Sequence, residues 1–259
     1  MKKYKLYLLD MDGTLYLGDK LFSCTKPFLE FVRKSGGSYA FLTNNSSKSV
    51  SAYIEKLASL GIEAKAEDFF TSTNASVLYI KKNYPDTKVF AMGTRSFVEE
   101  LKSEGINVTE EPESDVGLII MGYDTELTYK KLEDICTLLR RGIDYVATNP
   151  DLVCPTEDGF VPDCGSVSIM LKNATGREPY FIGKPEPAMV ELCLKKRSID
   201  KADAVIVGDR IYTDIASGLN AGIDAVLVMS GETDEEILNT SPIKPTYVIE
   251  NVASLIMEE

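Results

Sequence analysis

A chain of 259 residues, 44% hydrophobic and 26% charged, has the composition of a globular protein and more length than one domain usually needs. Its 40 acidic residues against 28 basic ones give a formal charge of −12, which makes the chain a poor candidate for nucleic-acid backbone binding and requires any anionic ligand to be drawn in by a local positive site. Histidine is absent, so imidazole catalysis and His-ligated zinc are excluded.

The chain opens Met1-Lys2-Lys3, but Asp10 and Asp12 interrupt the following apolar stretch too early for a signal peptide. No run approaches the roughly 18–20 apolar residues of a membrane helix, so no membrane partner is expected. The five cysteines include no Cys-x-x-Cys and read as free thiols of a reducing compartment; the expected location is cytoplasmic.

In chain order, Leu6 to Leu9 reads as a strand and Pro27 to Lys34 as a helix, with apolar Phe28, Leu29, Phe31 and Val32. Tyr39 to Leu42 reads as a second strand, and Ser47 to Leu60 as a helix closed by Gly61. Lys88 to Met92 and Val116 to Met121 follow as strands, Phe97 to Ser103 and Thr128 to Arg141 as helices, and Tyr145 to Thr148 as a strand. From Asn149-Pro150 to Gly165 the chain is rich in Pro, Asp and Gly and reads as a long functional loop. Tyr180-Phe181-Ile182 is a short apolar segment of the first domain, Ala204 to Val207 a strand, Asp214 to Ala221 a helix and Ala225 to Val228 a strand. Near-continuous apolar strands separated by helices place the chain in the α/β class, with a parallel sheet covered on both faces. The expected domains are a core of residues 1–78 and 179–259 and an inserted second α/β domain of residues 79–178. The acidic pairs Glu99-Glu100 and Glu258-Glu259 and the run Asp234-Glu235-Glu236 read as solvated helix faces or ends.

In an open parallel sheet, ligands bind beyond the carboxyl ends of the strands. Four such ends carry polar groups here: Asp10 and Asp12; Thr43, Asn44 and Asn45; Gly183-Lys184-Pro185; and Gly208-Asp209-Arg210 with Asp214. Carboxylates at i and i+2 of an extended chain point the same way and repel unless a cation or proton lies between them. The whole set suits phosphoryl transfer. Asp10 is the candidate nucleophile and Asp12 the candidate acid and base. Asp10, the Asp12 carbonyl and Asp209 form an oxygen set suited to Mg²⁺. Thr43 and nearby amides would bind phosphoryl oxygens, and Lys184 would offset charge between phosphate and nucleophile. Taken singly each piece has an ordinary reading: Asp-x-Asp-Gly a turn, Thr-Asn-Asn a helix N-cap, Gly-Asp a strand-to-helix turn. Their order, each after a strand, is the specific signal.

Asp10-Met11-Asp12-Gly13-Thr14-Leu15-Tyr16, Thr43-Asn44-Asn45-Ser46, Gly183-Lys184-Pro185 and Gly208-Asp209-Arg210-Ile211-Tyr212-Thr213-Asp214-Ile215 resemble the four ordered motifs of the haloacid dehalogenase-like hydrolases, in their NagD-type, para-nitrophenyl phosphatase branch. The resemblance spans nearly the whole chain. It implies a Rossmann-like core with an inserted α/β cap, Mg²⁺-dependent hydrolysis of small phosphomonoesters (sugar phosphates, nucleoside monophosphates or aryl phosphates) through an aspartyl-phosphate, and a small phosphorylated metabolite as partner. It implies that Asp214 supports the metal site from behind or through water. It also implies that the cap loop at Asn149-Pro150-Asp151-Leu152-Val153-Cys154-Pro155 reaches toward substrate, so that Asp151 and Cys154, with Asn44 and Asn45, shape binding. Against this stands a Pro-fixed turn with a buried thiol. Asp163 to Ser166 reads as another such loop or as the cap of a helix beginning near Val167. Two other functions stay open: a phosphomutase, which uses the same four motifs, and a phospho-accepting module without turnover, against which the acid-base group Asp12 argues. Apolar cap helices leave a monomer and a homodimer both open.

Overall fold

The computed structural model describes residues 2–156 and 159–256. Glu258 and Glu259, read above as a solvated end, lie outside the described residues. Packing divides the chain into two units: Met1–Thr43, Val50–Phe70 and Lys184–Glu259 in the first, Asn44–Ser49 and Thr71–Gly183 in the second.

The first unit is built on a six-stranded sheet in the order Tyr247–Ile249, Asp224–Val228, Ala204–Gly208, Leu6–Leu9, Ser38–Thr43, Phe69–Thr71. The first five of these strands pair in parallel. Leu6–Leu9 lies inside, buried at every position, as expected of a strand covered on both faces. Its register sets the site: Leu9 stands opposite both Val207 and Phe41. The carboxyl ends carrying Asp10, Asp209 and Thr43 therefore emerge side by side. Beneath them Tyr7, Leu9, Phe28, Phe41, Phe69, Val207 and Val226 belong to one buried cluster, with the Tyr7 and Phe28 rings edge to face at 5.7 Å. The helix Thr25–Lys34 buries Phe28, Leu29 and Val32. It starts ahead of Pro27, which sits in the first turn, where its missing N–H costs nothing. The expected helix from Asp214 begins instead as a turn of π-helix over Ile211–Ile215 and continues as α-helix over Ala216–Ala221.

The second unit holds an all-parallel five-stranded sheet in the order Tyr180–Phe181, Asp144–Ala147, Val116–Met121, Lys88–Met92, Val108–Thr109. Its helices include Ser72–Asn83, Arg95–Ser103, Tyr129–Arg140 and Cys164–Thr175. Phe90, Met92, Ile119, Met121, Leu138 and Tyr145 fill its core. Tyr180–Phe181, expected as a strand of the first domain, pairs here with Val146 and Ala147, so this unit runs to Gly183. Its longer segment starts at Thr71, whose hydroxyl accepts from the Asn74 N–H at 3.1 Å and caps the helix Ser72–Asn83. The expected long loop contains a hairpin, Val153–Thr156 with Gly159–Pro162. A two-stranded ribbon tolerates proline because each strand has one neighbour, which is why the Pro-rich composition hid it. Asp163 is an N-cap, its Oδ1 accepting from the Cys164 N–H at 2.5 Å.

Candidate active site

Asp10 leaves the central strand with its N–H bonded to the Val207 carbonyl at 2.9 Å. The chain then turns sharply: the Met11 carbonyl accepts from the Leu15 N–H at 2.8 Å, and Gly13 takes a φ of +83°, a conformation that favours glycine. A Cβ at Gly13 would overlap the Asp209 carboxylate, as would one at Gly231. The side chain of Asp209 is thus packed between two backbones that must lack side chains. Asp12 is exposed, and its Oδ1 lies 3.5 Å from the Gly18 N–H, in the turn between Tyr16–Leu17 and Lys20–Leu21.

Lys184 opens the last segment of the first unit and is 3% exposed. Its Nζ donates to Asp10 Oδ1 at 2.8 Å and to Asp214 Oδ1 at 2.6 Å. Asp214 is fully buried, and its Oδ2 accepts from the Arg210 N–H at 3.1 Å across the π-helical turn. Asp209 Oδ2 accepts from the Glu232 N–H at 2.7 Å, while its Oδ1 is buried without a hydrogen-bond partner. One oxygen from each of Asp10, Asp209 and Asp214 lies within 4.8 Å of the others.

Of the three clustered carboxylates only Asp10 and Asp214 pair with the Lys184 ammonium, and the electrostatics register the imbalance. Burial, then the Asp214 charge, push Asp10 up to about 6 despite the opposing pull of Lys184. Burial, then Asp10 and Asp214, push Asp209 up to about 8. Burial opposes the charge of Lys184, yet Asp10 and Asp214 together hold its pKa above the ordinary value. A buried carboxylate oxygen with no partner is costly in a folded protein, and like charges this close need a counter-ion. The Asp209 Oδ1 and the all-oxygen donor set fit a hard divalent cation such as Mg²⁺.

Thr43 ends its strand with Oγ1 at 3.4 Å from the Tyr53 hydroxyl. The remaining sequence candidates fall in the second unit. Asn44 Nδ2 donates to Asp151 Oδ2 at 3.0 Å, so these two meet. Asn45 Oδ1 accepts from the N–H and hydroxyl of Ser47 at 2.9 and 2.7 Å, a local turn. Cys154 is partly buried in the hairpin, and burial and then this thiol hold the Tyr123 hydroxyl pKa above its ordinary value. Sequence reasoning passed over Glu232 and Gly231; the signal available was a Ser-Gly-Glu-Thr stretch just past the strand Asp224–Val228.

The parallel sheet with its strand-end carboxylates around one buried lysine defines a Rossmann-like α/β enzyme. Residues 7–107 match the family model for haloacid dehalogenase-like hydrolases, and residues 181–255 match a second, HAD-hydrolase-like one. An acid sugar phosphatase of Staphylococcus haemolyticus is 35% identical over 100% of this chain and 97% of its own. The solved 4-nitrophenylphosphatase of Thermotoga maritima superposes with a TM-score of 0.92 at 36% identity, covering 98% of this chain and 96% of that one. A structure assigned to NagD does so with a TM-score of 0.92 at 33% identity, over 100% of each chain. The chain belongs to the haloacid dehalogenase-like hydrolases and, within them, to the NagD type.

Proposed function

We propose that the protein is a phosphatase that hydrolyses small phosphomonoesters through a covalent aspartyl-phosphate. An Asp10 oxygen attacks phosphorus, the ester oxygen leaves, and Asp12 gives that oxygen its proton. Asp12 then takes a proton from water as the water oxygen attacks the phosphorus. The Asp10–phosphorus bond breaks, and free phosphate and the Asp10 carboxylate result. Exposure of Asp12 suits this second task, since the group must exchange its proton with arriving water. Lys184, fixed on Asp10, offsets charge on the phosphoryl oxygens, and the Thr43 hydroxyl hydrogen-bonds one of them. Mg²⁺ held by Asp10, Asp209 and the Asp12 carbonyl, with Asp214 behind, would supply the charge neutralisation that attack on a phosphate dianion demands.

One observation carries this reading: a buried ammonium bridges two carboxylates while the buried oxygen of a third, within the same cluster, is without a partner. The second unit is proposed to be the cap, with Asn44, Asn45, Asp151 and Cys154 contributing to substrate choice. Names of the relatives support phosphorylated sugars and aryl phosphates as the first substrates to try. Among the described residues no helix is long and apolar enough to cross a membrane, and the free thiols support a cytoplasmic setting. The test is a panel of sugar phosphates, nucleoside monophosphates and 4-nitrophenyl phosphate with Mg²⁺ or EDTA. Free phosphate released only with the metal, and lost in Asp12→Asn, is expected. Phosphate release unaffected by EDTA, or an isomerised sugar phosphate as product, overturns the reading.

A further inference from the structure

A loop outside the four motifs grips the metal-facing carboxylate of Asp209. The Glu232 N–H donates to Asp209 Oδ2 at 2.7 Å, and the Thr233 N–H donates to the Asp209 carbonyl at 3.2 Å. Gly231 presses its backbone so close that a Cβ would overlap that carboxylate, and the Ser230 hydroxyl donates to the Gly13 carbonyl at 2.8 Å. With Oδ2 occupied in this way, Oδ1 is the oxygen left for a ligand.

The Glu232 side chain returns to the segment that follows Asp209. Its Oε2 pairs with Arg210 Nε at 2.9 Å, and its Oε1 accepts from the Tyr212 hydroxyl. The Ile211 N–H adds a bond to Thr233 Oγ1 at 3.2 Å. Residue 232 is therefore fixed from both ends: by its amide on the carboxylate, and by its carboxylate on the two residues flanking Ile211.

We propose that Glu232, tied by Arg210 and Tyr212, is a positioning residue that sets the divalent-metal affinity of the site by aiming the Asp209 carboxylate. The proposal rests on the phosphatase reading above. Its logic is that a ligand's outer hydrogen-bond partners hold its orientation, and removing such a partner typically costs about 10- to 100-fold in metal affinity. Here the direct partner is a backbone amide and the side-chain clasp acts one step further out. About 3- to 10-fold weaker binding is therefore expected, at the low end of that range and below it.

The experiment is calorimetric titration of the full chain with MgCl₂ alone. Glu232→Gln and Arg210→Gln are each expected to raise the Mg²⁺ dissociation constant by that factor. The double variant should be no weaker than the worse single one, because both break one contact. Melting in EDTA is expected to stay near wild type, which separates aiming from general destabilisation. If Glu232→Gln does not fold, Arg210→Gln and Tyr212→Phe carry the test. Unchanged Mg²⁺ binding in the folded variants, or fully additive losses in the double variant, overturns the clasp. Absence of Mg²⁺ binding by the wild type overturns instead the metal reading beneath it.

Discussion

Asp10→Asn isolates what the proposed nucleophile costs the fold. In the metal-free protein Asp10 is raised from its ordinary 3.8 to about 6, first by burial and then by Asp214, after the attraction of Lys184 is counted. The folded state thus holds a proton on Asp10 that the unfolded chain has already released. Between about pH 4 and pH 6 the native state binds more protons, so stability falls as pH rises through that window. At about 1.36 kcal/mol per pKa unit, the charged form above pH 7 is penalised by about 3 kcal/mol. An asparagine keeps the shape and carries no charge, so it escapes that penalty. The variant is therefore expected to be inactive toward an aryl phosphate and yet more stable in EDTA. The gain is about 6–12 °C in melting temperature at pH 7.5, from roughly 2–4 °C per kcal/mol for a chain of this size. At pH 4 the two proteins should melt together, and added Mg²⁺ should favour the wild type. The assay is thermal melting across pH 4–8 with and without metal, with mass analysis to exclude deamidation. If Asp10→Asn melts at or below wild type in EDTA at pH 7.5, the claim that this carboxylate is held against its charge is wrong.

Lys184→Met removes both ion pairs and leaves Asp10 and Asp214 facing each other in the interior. It is expected to lower kcat by at least about 10²–10³ and, in EDTA at pH 8, stability by about 3–5 kcal/mol. Steady-state kinetics and urea unfolding check the two parts. Gly13→Ala adds a Cβ that overlaps Asp209 at a backbone φ of +83°. Left-handed strain of about 1–2 kcal/mol plus displacement of the carboxylate should weaken Mg²⁺ binding more than folding; equal Mg²⁺ affinity in calorimetry would contradict the packing argument.

What the sequence revealed of this molecule follows from which forces are local. Strands such as Lys88–Met92 and Val116–Met121 are apolar runs flanked by breakers, and their bounds coincide with those expected. The polar residues at the ends of Leu6–Leu9, Ser38–Thr43 and Ala204–Gly208 could be assigned to one face because parallel register leaves little freedom. Tyr180–Phe181 failed for the opposite reason: two residues carry no periodicity, and only pairing with Val146 and Ala147 decides which sheet receives them. The Val153–Pro162 hairpin failed because its prolines and glycine imitate a loop. Glu232 was passed over because its contact with Asp209 comes from a backbone amide, which every residue but proline possesses.

Asn44 and Asp151 mark where a motif-level reading and a structural one part, and a stability measurement can separate them. Both were read as substrate contacts, yet they bond to each other at 3.0 Å. The Asn44 carbonyl is further held by Ser72 Oγ at 2.6 Å and Asn149 Nδ2 at 3.0 Å, so the residue directly after Thr43 is fastened within the second unit. A hydrogen bond to a charged acceptor contributes about 1.5–3 kcal/mol. Asp151→Ala should therefore destabilise the chain by about that amount. In a cycle with Asn44→Ala, the two losses should fall short of additivity by about 0.5–3 kcal/mol, as contacting residues do. Urea unfolding of the two single variants and the double gives the coupling directly. A coupling near zero, with the Michaelis constant raised in both single variants, would mean that these side chains spend their time on substrate and not on each other. A measurable coupling with the Michaelis constant unchanged would make the pair a brace for the segment that follows Thr43.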